Sequence, residues 1–79
     1  MDYQTIIAAL PKDVSDLLHK NLDGIELSGE LSKDEATELL EGAVKLTKIQ
    51  MIIEDDEKRR LVDSLLTMVV PAGLKALFP

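Results

Sequence analysis

The sequence predicts an all-α protein, a compact bundle of three to five helices in which residues 1–79 form a single helical domain. Three observations predict it. The chain is 46% apolar, and Leu, Ile and Val dominate that share, which is too much oil for a disordered segment. Those residues recur at helical rather than alternating spacing. Helix start signals stand where the apolar stripes begin. With no Cys there is no disulfide framework, so a chain near the lower size limit for independent folding must rely on packing.

The first segment shows the most orderly face. At 100° per residue, Tyr3, Ile6, Ile7, Leu10, Val14, Leu17, Leu18 and Leu22 fall within about 160° of one another. Thr5, Lys12, Asp13, Ser15, Asp16, His19 and Lys20 take the opposite side. Pro11 interrupts this register, because it lacks the N–H that would bond Ile7 and pushes Leu10 out of α geometry. Two helices, near 3–10 and 11–22, are preferred over one kinked rod, with Pro11 in the first turn of the second. Asn21 and Gly24 supply its exit.

Residues 23–32 form the main connection, with Ile25, Leu27 and Leu31 spaced to tuck inward. An extended stretch at 25–27 would have no partner strand to satisfy its backbone.

Ser32-Lys33-Asp34-Glu35 is a capping box, with hydroxyl and carboxylate each positioned to accept the other residue's N–H. It starts the expected longest helix, 33–54. Asp34 and Glu35 also suit the positive end of the macrodipole. The stripe Ala36, Leu39, Leu40, Ala43, Val44 and Leu46 lies opposite Glu38, Glu41, Lys45 and Lys48. It then widens through Ile49, Met51, Ile52 and Ile53, which predicts that this end is surrounded by other elements.

The run Glu54-Asp55-Asp56-Glu57 is unfavourable at a helix C-terminus and suits an N-terminus, so a new helix is expected from Asp55 or Asp56 over about 57–70. A continuous rod through 33–70 is the alternative. Asp63, Ser64 and Thr67 share its narrow polar arc, and Leu61, Val62, Leu65, Leu66, Met68, Val69 and Val70 fill the rest. Pro71 is expected to break the helix, leaving a short final turn near 72–78.

Little chemistry is encoded. His19 sits on a polar face with no Cys or second His to complete a triad or zinc site. The carboxylate pairs Glu38/Glu41 and Asp34/Glu38 lie opposite the apolar stripe, where nothing would separate their pKa values for acid–base work. Gly24 and Gly29 lack the Gly-Lys-Ser/Thr ending of a phosphate loop. With Gly24 at the sixth position of a calcium loop, Asn21, Asp23 and Glu30 match, but His19 would be the first ligand and imidazole suits a hard cation poorly. No catalytic residue, cofactor or metal is expected, and the chain is read as a non-enzyme.

The net charge of −6 disfavours nucleic acid as a direct ligand, since that affinity rests on neutralising phosphates. The opening Met1-Asp2-Tyr3-Gln4 has neither the basic segment nor the apolar run of a secretory signal, so a cytoplasmic location is expected. The uncharged run Ser64 to Leu74 is too short to span a bilayer.

The expected function is protein–protein interaction, by self-association into a homo-oligomer or by docking on a protein partner. The apolar arc of the C-terminal third exceeds what short neighbours readily cover, which nominates Leu61, Leu65, Met68, Val69, Leu74, Leu77 and Phe78 as the interface. An alternative is an acidic inhibitor or adaptor for a basic groove of a nucleic-acid enzyme, drawing on the net −8 of residues 1–56. A weaker alternative lays residues 70–78 on a membrane surface, helped only by Lys75 and the upstream Lys58, Arg59 and Arg60.

Overall fold

The structure, a computed structural model, describes residues 2–22 and 32–78. It is all-helical among those residues, with the order α1 (Tyr3–Ala9), α2 (Lys12–Leu22), α3 (Lys33–Gln50) and α4 (Asp56–Leu77). The connection read at 23–31, including the helix exit at Gly24 and the Asp23 and Glu30 positions of the calcium-loop match, lies outside the described residues, whereas His19 and Asn21 of that match belong to α2.

The break at Pro11 is present. Leu10 is extended (φ −74°, ψ 146°), as the residue before a proline prefers, and its N–H closes α1 on the Ile6 and Ile7 carbonyls. Pro11 does not occupy the first turn of α2 as expected; it stands just before it and accepts the Ser15 N–H at 2.9 Å. Asp2 caps α1, its carboxylate accepting the Thr5 N–H at 2.8 Å.

The capping box at Ser32 forms in full. The Glu35 N–H donates to Ser32 Oγ at 3.2 Å, and the Ser32 N–H reaches Glu35 Oε1 at 3.4 Å. Ser32→Ala should therefore cost about 1 kcal/mol of unfolding free energy. A urea midpoint identical to that of the parent chain would show that the cap contributes nothing.

Helix α3 stops at Gln50, four residues short of the expected end, and residues 51–55 are non-helical. Asp55 begins the next helix by accepting the Lys58 N–H at 2.9 Å. Helices α3 and α4 are thus two elements and not a rod. The expected break at Pro71 is overturned: α4 runs through it to Leu77, so its 22 residues exceed the 18 of α3, and the helix after Ser32 is not the longest. Packing explains the difference. Pro71 is exposed, and Val69 and Gly73 on either side are buried. The helix keeps its course because both flanks are held by neighbours.

Gly73 is one of those anchors. A methyl group placed on it would lie 3.3 Å from Leu40 Cδ1 of α3 and 4.0 Å from the Tyr3 ring of α1, so three helices converge on its missing side chain. Gly73→Leu should destabilise by about 1–3 kcal/mol through overpacking. A melting temperature at or above that of the parent chain would mean that Leu40 yields freely.

Helices α3 and α4 form an antiparallel hairpin. Near the turn the Lys48 ammonium donates to Thr67 Oγ1 at 2.7 Å and lies 3.7 Å from Asp63, while Leu40 meets Gly73 at the far end. Helix α1 packs on α4 and α2 on α3. The core between them holds Ile6, Leu10, Val14, Leu18, Val44, Met51, Val62, Leu66 and Val69. Thr47 is buried there too and is satisfied twice, donating to the Ala43 carbonyl at 2.8 Å and accepting from the Asn21 amide at 2.9 Å. Asn21 also donates to Gln50 Oε1 at 3.0 Å, which pins the end of α2 to the last turn of α3.

Candidate interaction surface

Core formation divides the expected interface. Leu65 and Val69 turn inward and are buried among α1 and the hairpin, a correction to their place on an outer surface. Leu74 and Leu77 are half-buried. Leu61, Met68 and Phe78 remain outside, with Leu61 63% exposed. The wide apolar arc of α4 thus splits by direction. Val62, Leu65, Leu66 and Val69 meet α1 and α3, while Leu61 and Met68 lie on the flank turned away from Lys48 and α3. Sequence periodicity finds the arc but not the positions of the neighbours that cover it.

A second exposed apolar set was not anticipated. Leu39, Leu46 and Ile49 lie along the outer edge of α3, and Ile52 stands 86% exposed in the connection to α4. The expectation that this end is surrounded is corrected: Ile49 is 73% exposed, and only Met51 of the widening stripe is buried. The reason is the early stop at Gln50. Once the chain leaves the helix, residues 51–53 no longer follow its phase, so Met51 turns in, Ile53 packs partly and Ile52 turns out.

The polar groups are arranged for capping and solvation. His19, Glu38 and Glu41 are all exposed, and no cluster of three His, Asp or Glu side chains suited to a metal ion occurs among the described residues. The side-chain and backbone hydrogen bonds from Thr5 hold the Asp2 carboxyl below its ordinary range. Its cap is therefore complete above the usual carboxylate pKa and is lost as acid protonates it. Burial against α4 pushes the Tyr3 phenol above its ordinary value. Asp2, Tyr3 and Gln4 line an open groove with Ala72, Lys75 and Ala76. Asp56, Arg59, Arg60 and Asp63 border another, where both charge signs are interleaved.

None of the described helices is long and apolar enough to cross a membrane. The features that remain for recognition are two apolar helix edges on opposite sides of the hairpin, each bordered by charge. No protein-family model, curated protein or solved structure matches the chain.

Proposed function

We propose that the chain is a non-enzymatic helical interaction module that docks by apolar contact, using the outward part of its C-terminal third. The supporting observation is that Leu61, Met68 and Phe78 stay exposed while Val62, Leu65, Leu66 and Val69 of the same helix are buried in the core. A side chain like Leu61 gains roughly 1.5–3 kcal/mol when it leaves water, so a rim of such residues favours association wherever a complementary surface exists. Among the described residues, Thr47 is the buried polar side chain and it is satisfied within the core, while the charged side chains cap helices or reach solvent, which supports contact as the activity.

The test is photo-cross-linking in the native cells with a reactive residue at position 64, between Leu61 and Met68. A discrete adduct is expected, and Leu61→Glu with Met68→Glu should abolish it. No adduct, or one indifferent to the double substitution, would refute docking through this flank.

The acidic-adaptor reading draws on the exposure of Asp34, Glu35, Glu38 and Glu41 along α3. It predicts a complex that dissociates as salt shortens the screening length to about 3 Å at 1 M, whereas an apolar contact persists. Membrane association has the least support, because Gly73 is buried and Val70, Leu74 and Leu77 are half-covered by the chain itself.

A further inference from the structure

We draw no further inference here: the strongest candidate, the outer edge of α3 where Leu39, Leu46 and Ile49 are exposed around Gly42, is an unpartnered apolar face, and nothing in the structure shows what covers it.

Discussion

Leu66→Ala should lower the unfolding free energy by about 2–5 kcal/mol, the largest loss expected from a single truncation. Leu66 is fully buried at the centre of α4, among the core residues of all four helices. Its removal deletes the transfer energy of the lost carbons and leaves a cavity that close-packed neighbours fill incompletely. Domains of this kind are stable by only about 5–15 kcal/mol, so a substantial fraction of the variant is expected to be unfolded at physiological temperature. Urea titration followed by far-ultraviolet circular dichroism measures the change. Leu61→Ala, one turn away and outside the core, serves as the control and should shift stability by no more than about 0.5 kcal/mol in the dilute chain. Equal effects at the two positions would contradict the inward and outward assignment of α4.

Pro71→Ala should act in the opposite direction and stabilise the chain by about 1–2 kcal/mol. Proline inside a helix is about 3 kcal/mol less favourable than alanine, largely because it supplies no N–H and crowds the preceding turn. Position 71 is exposed and helical on both sides, so alanine restores a donor to the Thr67 carbonyl and loses no core contact. Against this, the alanine chain is freer when unfolded, which returns about 0.4–1 kcal/mol. The net gain corresponds to a melting temperature several degrees higher for a domain of this size. A fall would mean that α4 depends on the geometry the proline ring imposes.

The same proline shows where sequence reasoning stops. Helix starts were legible because the residues that make them are local: Ser32 with Glu35, and Asp55 with the Lys58 N–H, lie within one turn. Pro11 was legible as a break for the same reason. Pro71 has the same local chemistry and the opposite outcome, and the difference is tertiary. Leu40 and Tyr3 seat Gly73 two residues beyond it, and neither is near in sequence. The surface followed the same division. Periodicity identified the apolar arcs of α3 and α4, but an arc wider than one neighbour can cover is shared between core and solvent by the placement of other helices. Leu65 therefore went in and Leu61 stayed out, although both read alike in the sequence. Leu39, Leu46 and Ile49 read as inward for want of that same information, and they are exposed.

Helix α1 has seven residues, fewer than an isolated helix needs to persist in water, and it packs on α4. That seat is made about sixty residues later in the chain. During synthesis at about 5–20 residues per second, α1 is made several seconds before Val69 and Gly73 exist. Ile6 and Leu10 spend that interval without the α4 side of the core that they share in the folded chain.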